Sequence, residues 1–264
     1  MDILKRDLAP LSERAWKEID TRAEGILKTH LSARKAVKVL GPKGWDYSAL
    51  PEGRLDIIDA QDGEVKSGIY KVKPLVEGRI SFRLDRWEMD NVTRGAKDID
   101  LTALDEAVKK IATFEENALY KGLAQGNIVG LENASAHASI AFGNDGRAIM
   151  DAISQGLILL KENFEEGPFT LILGKETWKR LNKEMQGYPL INRIEELTGT
   201  KILYNTVVDG AFLIPYDNEN IELTIGQDFA IGYESHDAKE VTLFITESFT
   251  FRVLDENIVV QYTI

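Results

Sequence analysis

The fold is decided by the C-terminal stretch VTLFITESFTFRVLDENIVVQYTI (residues 241–264), in which apolar and polar side chains alternate. A period of two residues is the pattern of a β-strand that buries one face. The alternation continues for long enough to form a central sheet, and residues 221–262 as a whole are predicted to be almost entirely strand.

Helices and strands are mixed in the rest of the chain, which indicates an α+β fold. Residues 11–31 carry apolar side chains at helical spacing, with Ser12 as the predicted N-cap. A second long helix is predicted from Leu101 to Leu123, and the middle third of the chain alternates between helix and strand. No internal repeat and no low-complexity linker is visible in the sequence.

The segment RLDIIDAQDGEVKSGIYKVK (residues 54–73) predicts a long hairpin, because two arms rich in β-forming residues flank the turn sequence Asp62-Gly63. The arms carry few large apolar side chains for their length, so a hairpin of this kind cannot bury itself. Unpaired strand edges also invite aggregation. We therefore expect the hairpin to pair with a neighbouring subunit.

Composition and charge argue against several classes of function. The 264 residues carry a formal net charge of −11, and a chain this acidic repels the phosphate backbone of nucleic acids. The densest basic stretch, residues 33–44, is interpreted as solvated surface. No apolar run reaches the roughly 18 residues that a membrane-spanning helix needs, and the N-terminus lacks the pattern of a signal peptide. Since the sequence also has no cysteine, a cytoplasmic location is the expectation.

The sequence offers no catalytic or metal-binding constellation. Its three histidines lie in unrelated settings, and neither a nucleophile with its base nor a phosphate-binding loop stands out. The segment GQDFAIGYE (residues 226–234) contains Asp228, Tyr233 and Glu234, but no basic or nucleophilic partner is adjacent to shift a pKa there. We therefore predict that the protein is not an enzyme and has no metal site.

Paired acids occur at Glu115-Glu116 and at Glu195-Glu196, and both pairs fall inside predicted helices. Neighbouring carboxylates on a helix are most often exposed to water, because burying a charge without a partner is costly. Both pairs are therefore interpreted as solvated helix faces.

Trp87 has both a functional and a structural interpretation. It follows an alternating strand and lies close in sequence to Arg79, and an aromatic plane near guanidinium groups can stack a flat ligand. The structural alternative is a partly buried tryptophan at the end of a strand.

Six segments, taken in order, resemble one known family over essentially the whole chain. They are LAPLSERAWKEID, ARKAVKVLGPKGWDY, RWEMDN, GYPL, GQDFAIGYE and LFITESFTFRV. The chain resembles the encapsulins, which are bacterial and archaeal nanocompartment shell proteins. The order of the six segments along the chain makes this resemblance more specific than any single short match.

The resemblance implies the Hong Kong ninety-seven-type fold of tailed-phage major capsid proteins, with a peripheral domain, an axial domain and an extended loop. This fold divides the chain into five consecutive segments. It assigns the N-terminal helix and the start of the peripheral domain to 1–47, the extended hairpin loop to 48–74, the peripheral domain with its long helix to 75–127, the axial domain to 128–226, and the C-terminal peripheral strands to 227–264.

The same resemblance implies three sites. A groove on the inner face of the shell would receive a short targeting peptide from the C-terminus of a cargo protein, and its walls would be formed by Leu27, Leu31, Val37, Val39, Asp228, Phe229, Ile231 and Tyr233. The loop around a fivefold pore would contain Lys183, Glu184, Met185, Gln186, Gly187 and Tyr188. Arg79 and Trp87 match a position where a flavin can bind, although no cofactor is required for assembly.

The implied function is an icosahedral shell of about sixty copies that encloses a cargo enzyme in the cytoplasm. The cargo would be a ferritin-like iron oxidase or a dye-decolorising peroxidase, with a role in iron storage or oxidative-stress defence. The first alternative is a viral or prophage capsid protein of the same fold. A flavin-dependent enzyme centred on Trp87 and a monomeric binding domain are further alternatives.

Overall fold

The computed structural model describes residues 2–58, 65–183 and 189–264 and mixes helices and strands along the chain. The helices in these residues are α1 Glu13–His30, α2 Arg86–Arg94, α3 Thr102–Tyr120, α4 Gly146–Glu162, α5 Lys175–Lys183 and α6 Leu190–Thr198. The strands are β1 Lys38–Leu40, β2 Ala49–Ile58, β3 Ser67–Pro74, β4 Val76–Asp85, β5 Ile140–Ala141, β6 Phe169–Leu173, β7 Leu203–Tyr204, β8 Ala211–Pro215, β9 Ile221–Ile225, β10 Ala230–His236, β11 Glu240–Val253 and β12 Val260–Thr263. The predicted α+β class is confirmed, and Ser12 caps α1 by accepting a hydrogen bond from the Ala15 amide.

Strand β11 is the centre of the first sheet, as the alternation in its sequence predicts. It pairs antiparallel with β4 along Glu240–Phe249, with β10 on its other side, and with β9 beyond Phe249. Strand β1 extends this sheet by pairing parallel to β9. A strand of 14 residues can serve three partners because one of its edges is long enough to be shared by β10 and β9, while β4 pairs along the other.

The C-terminal run does not stay in one sheet. A short 3-10 turn at Glu256–Ile258 follows β11, and β12 then pairs with β5 and β8 in a second sheet of order β5-β12-β8-β6-β7. The sequence groups β11 and β12 in one C-terminal unit, because alternation identifies strands but not their partners. The predicted domain boundaries themselves stay predictions.

Two groups of buried side chains form the core, and two elements run through both of them. One group lies between α1, the first half of α3 and the first half of β11, and includes Trp16, Leu104 and Leu243. The other fills the second sheet and its helices and takes in Leu119 from α3 and Phe249 from β11. Helix α3 and strand β11 therefore tie the two cores together.

Strands β2 and β3 form the predicted hairpin as a separate two-stranded sheet. The turn sequence Asp62-Gly63 lies outside the described residues. Leu55, Ile57 and Tyr70 lie on one face of the hairpin, and the last two are each 74% exposed. Within the described part of the chain this face has no covering element, so the arms expose more apolar surface than a folded subunit normally tolerates.

The interpretation of Glu115-Glu116 as a solvated face is wrong, because both side chains are buried. They lie on α3 between the turn that enters one core and the turn that enters the other. Glu116 accepts hydrogen bonds from the Ser32 hydroxyl (2.6 Å), from the Ala33 amide (3.0 Å) and from the Asn205 side-chain amide. A helix enclosed between two cores has no solvated face at that point, and these donors offset the cost of burial.

The two residues of the second acid pair, Glu195 and Glu196, differ in exposure. The Glu195 carboxylate is largely covered and accepts hydrogen bonds from the Lys201 ammonium (2.5 Å) and the Ile202 amide (3.2 Å), whereas Glu196 is exposed. Only one member of this pair therefore fits the solvated-face interpretation.

We expect the stability of the protein to fall as the pH rises between about 4.5 and 7 because of Glu116. Burial raises the pKa of this carboxyl from its ordinary 4.5 to about 7. Over that interval the folded chain keeps a proton that the unfolded chain has lost, so the free energy of unfolding decreases, by up to about 3 kcal/mol for this group. The measurement is the midpoint of thermal unfolding at several pH values.

Glu116→Gln mimics the protonated acid and should reduce this pH dependence, whereas Glu196→Gln, which changes an exposed carboxylate, should retain it. An equal decrease with pH in both variants would contradict the assignment to Glu116.

Candidate functional site

A groove of about 580 Å³ lies between helix α1 and the start of strand β10. Ala23, Leu27 and Leu31 form the helix wall, because residues four apart lie on one side of a helix. Val108 and Ile245 lie beneath them as an apolar floor. The opposite wall and the rims are formed by Arg6, Asp20, Glu24, Lys28, Arg34, Lys35, Asp228, Phe229, Ala230 and Ile231.

The rim of the groove carries charges of both signs that pair along helix α1. Arg6 contacts Asp20 at 2.7 Å and lies 3.9 Å above the ring centroid of Trp16. Lys28 contacts Glu24 at 2.5 Å one turn further along. The first of these ion pairs is partly exposed and the second is exposed, so both contribute little to stability.

Arg34 lies at the end of the groove and binds three carboxylates. Its guanidinium contacts Glu115 at 2.5 Å, Asp228 at 2.7 Å and Glu247 at 3.3 Å. The same group lies 4.7 Å from the ring centroid of Phe229. Glu115 and Glu247 are fully buried, whereas Asp228 is about half exposed (48%). Arg34 therefore connects the interior of the subunit to the wall of the groove.

The electrostatics of this cluster explain why a single arginine is sufficient. Burial and the nearby carboxylate of Glu115 raise the pKa of Glu247 well above its ordinary value. Burial lowers the pKa of Arg34, but hydrogen bonds and charge from Glu115 and Asp228 outweigh it, so the net pKa lies above its ordinary value. Arg34 stays charged, and the raised pKa of Glu247 favours its neutral form, which reduces the negative charge that the guanidinium has to balance in the interior.

Five of the eight predicted groove residues come together here: Leu27, Leu31, Asp228, Phe229 and Ile231 all line the cavity. The other three lie elsewhere. Val37 is buried in the core of the second sheet, and Val39 is partly exposed on β1. Tyr233 lies further along β10, where its hydroxyl is 2.7 Å from Nδ1 of His236. The role of the groove in binding stays a prediction.

Several residues of this site, including the floor residues Val108 and Ile245, were not predicted from the sequence, and the most consequential of them is Arg34. The interpretation of residues 33–44 as solvated surface is wrong for Arg34, whose side chain is only 16% exposed. Asp228 likewise has the basic partner that its neighbours in sequence do not supply. The two residues are 194 positions apart, so no local spacing reveals the pair.

The structure gives Trp87 and Arg79 different partners. Trp87 lies in the first turn of α2 and is 70% exposed, so it is not the partly buried strand-end residue of the structural interpretation. The Arg94 guanidinium is 5.7 Å from its ring centroid, while Arg79 stacks on Phe244 at 4.2 Å. A flavin at this position stays a prediction.

Of the six predicted pore residues, the structure describes only Lys183. Lys183 is exposed at the end of α5, and residues 184–188 lie outside the described residues. Among the residues that the structure describes, no group of acidic or histidine side chains could hold a metal ion. No helix in the described ranges is long and apolar enough to cross a membrane.

The sequence is similar to shell proteins over nearly its whole length. A family model described as "Encapsulating protein for peroxidase" (Linocin_M18) matches residues 1–250. The type 1 encapsulin shell protein of Rhodospirillum rubrum is 37% identical over 262 residues, which cover 96% of this chain and 94% of that protein. The corresponding protein of Mycobacterium tuberculosis is 35% identical over 252 residues, with 95% of each chain covered.

Solved structures show the same fold at lower identity. A virus-like particle protein from Pyrococcus furiosus superposes with a TM-score of 0.68 at 16% identity, covering 93% of this chain and 98% of that one. The capsid protein of phage XM1 superposes with a TM-score of 0.54 at 11% identity, covering 87% and 90%. The predicted Hong Kong ninety-seven-type capsid fold is confirmed.

We expect Arg34→Ala to lower the free energy of unfolding by about 3–5 kcal/mol, because it leaves the buried carboxylate of Glu115 without its cation. Arg34→Lys should cost less, since it keeps the charge and loses only the forked geometry. Denaturant unfolding measures both. Arg22, whose side chain is 54% exposed, donates two hydrogen bonds to Asp105. Arg22→Ala is therefore the matched control, and it should lower the free energy of unfolding much less. Equal losses for Arg22→Ala and Arg34→Ala would show that burial of the pair is unimportant.

Proposed function

The chain belongs to the encapsulin family of shell proteins, and from that premise we propose that about sixty copies close into an icosahedral shell that encloses a cargo enzyme. The cargo enters during assembly because a short segment at its C-terminus binds the groove between α1 and β10. The protein acts by confining the cargo and not by catalysis. Its surfaces serve to bind the cargo segment, to contact neighbouring copies and to let small molecules through the shell.

The observation that carries this proposal is the shape and lining of the groove. An apolar floor of Val108 and Ile245 lies between a helix wall and a strand wall, with charges confined to the rims and to the Arg34 end. Such a channel suits a peptide that anchors a few aliphatic side chains and leaves its polar groups outside. Asp228 lies at one end, where it can accept a hydrogen bond from the peptide while Arg34 holds it in place.

Assembly is supported by the exposed face of the β2–β3 hairpin. Leu55, Ile57 and Tyr70 form an apolar strip that a neighbouring copy would cover. A hairpin of two strands is marginally stable alone, so pairing with a neighbour would stabilise both the hairpin and the shell. The fold shared with capsid proteins is consistent with such an arm, and the curated relatives favour a cellular shell over a virion.

We propose that the segment from Lys183 to Tyr188 surrounds a pore through which ions and small molecules reach the cargo. The support is its match to the family's pore loop, GYPL included, and its place directly after α5. The cargo itself is proposed to be a dye-decolorising peroxidase or a ferritin-like iron oxidase. The family's description, "Encapsulating protein for peroxidase", supports the first. Oxidative-stress defence or iron storage in the cytoplasm is the corresponding context.

A flavin is an optional ligand in this proposal. The exposed indole of Trp87 beside the Arg94 guanidinium is a surface on which a flat ring system can stack. Arg79 enters only through the family resemblance, because its own guanidinium lies on Phe244. Assembly of the shell does not require this ligand.

Removing the apolar face of the hairpin should prevent assembly. We expect Ile57→Thr with Tyr70→Thr to keep the strands, since threonine favours β structure, but to convert megadalton particles into small oligomers on a sizing column with light scattering. Asp56→Ala with Lys71→Ala is the matched control, because it removes an exposed ion pair of 2.8 Å from the opposite face. Intact particles from the threonine variant would contradict the proposed role of this face.

A charge on the helix wall of the groove should stop cargo loading without affecting the shell. Leu27→Glu places a carboxylate where the peptide's aliphatic side chains would bind, and burying it there would be costly. Leu27→Met keeps the wall apolar and is the control. Cargo that co-purifies with particles of each variant is quantified by mass spectrometry. Equal loading of the Leu27→Glu and Leu27→Met shells would refute the assignment of the groove.

A further inference from the structure

We propose that the groove binds its peptide as an added β-strand, which pairs with the outer edge of β10 through the backbone N–H and C=O of Ile231. This inference rests on the proposed function of the groove and goes further, because it names the backbone groups that recognise the peptide. It also predicts the pattern of the partner: an extended segment with aliphatic side chains at every second position.

The first observation is that three consecutive residues, Phe229, Ala230 and Ile231, line the same cavity. Successive side chains of an extended chain point to opposite faces of its sheet. A cavity that lies against one face would therefore contact every second residue. Phe229 precedes β10, but the strand residues Ala230 and Ile231 are consecutive and both line the cavity, which places it along the edge of the strand, where backbone groups are presented.

The second observation fixes the direction of the backbone groups. The Tyr233 amide donates a hydrogen bond of 2.7 Å to the carbonyl of Leu4, which lies across the outer edge of β10 from β11. The register with β11 is regular from Ala230, opposite Thr246, to Tyr233, opposite Leu243. Since backbone groups alternate in direction along an antiparallel strand, the N–H and C=O of Ile231 point to the same outer edge as those of Tyr233.

The chain's own N-terminal segment shows that this edge accepts a partner and marks where the groove ends. The Leu4 carbonyl accepts a hydrogen bond from the Tyr233 amide, and at the other end the Phe229 amide donates one of 2.8 Å to the side chain of Asp228. Between these two occupied donors lies Ile231. Among the described strands, only β11 pairs with β10, and the N-terminal 3-10 turn Arg6–Leu8, which also contacts β10, makes no backbone hydrogen bond to Ile231.

A strand in this position would lie between a helix and a sheet edge. Peptide recognition of this kind takes affinity from main-chain hydrogen bonds and specificity from pockets for alternate side chains. Here the alternate side chains would point towards the strip formed by Leu27, Leu31, Val108 and Ile245. The intervening side chains would point to solvent, so small or polar residues are tolerated there.

The test uses a fluorescein-labelled peptide, Ser-Leu-Ser-Ile-Ser-Leu-Ser-Gly, and a set of analogues in which one backbone amide at a time is replaced by an ester. An ester removes the N–H and leaves the side chain unchanged. Binding to purified shells, disassembled and reassembled with the peptide, is measured by fluorescence anisotropy and by retained label. A peptide of the same composition with its apolar residues grouped together is the control for alternation.

We expect the alternating peptide to bind more tightly than the grouped one, and the ester at the one position whose N–H pairs with the Ile231 carbonyl to weaken binding about five- to tenfold, while esters at the other positions have little effect. Binding that Leu27→Glu abolishes but that no ester weakens would overturn the strand pairing and leave the groove intact as a peptide site. No preference for the alternating peptide, in shells that still load their own cargo, would also overturn the inference without affecting the proposed function.

Discussion

The structure depends on a buried ionic contact at the point where the two cores meet. Helix α3 and strand β11 each run through both cores, and Glu115 and Glu247 lie at the crossing of these two elements. Carboxylates at such a depth are tolerable only with a cation and with hydrogen-bond donors. Arg34 supplies the cation, and the segment that carries it is fixed in turn by Glu116 through Ser32 and the Ala33 amide.

This contact also positions the groove. The segment that carries Arg34 follows directly after α1, so its attachment to α3 fixes the end of α1 and hence the helix wall. Through Asp228, the same guanidinium holds the beginning of β10, which is the other wall. The distance between the two walls is thus set by the interior of the subunit and not by the exposed ion pairs along the rim. A groove built in this way would be preorganised for the extended peptide proposed above.

The two surfaces that the subunit leaves incomplete have different physical character. The hairpin presents an exposed apolar strip on strands that are marginal alone, which suits a permanent contact with another copy. The groove presents an apolar floor beside an open strand edge with charged rims, which suits a short segment that enters once during assembly. Under the proposed function these surfaces would face different partners, a neighbouring copy and a cargo peptide, and neither would need catalytic chemistry.

The sequence by itself determined the elements: the alternation of β11, the helical spacing of α1 and the β-forming arms of the hairpin each specify a local shape. It also carried enough ordered motifs to indicate the family and the capsid fold. Only the tertiary structure decided the partners. It buried Glu115 and Glu116, joined Arg34 to Asp228 across 194 positions and divided β11 and β12 between two sheets. Periodicity shows which face of an element is apolar, whereas the burial of a charge depends on donors that the fold brings from distant parts of the chain.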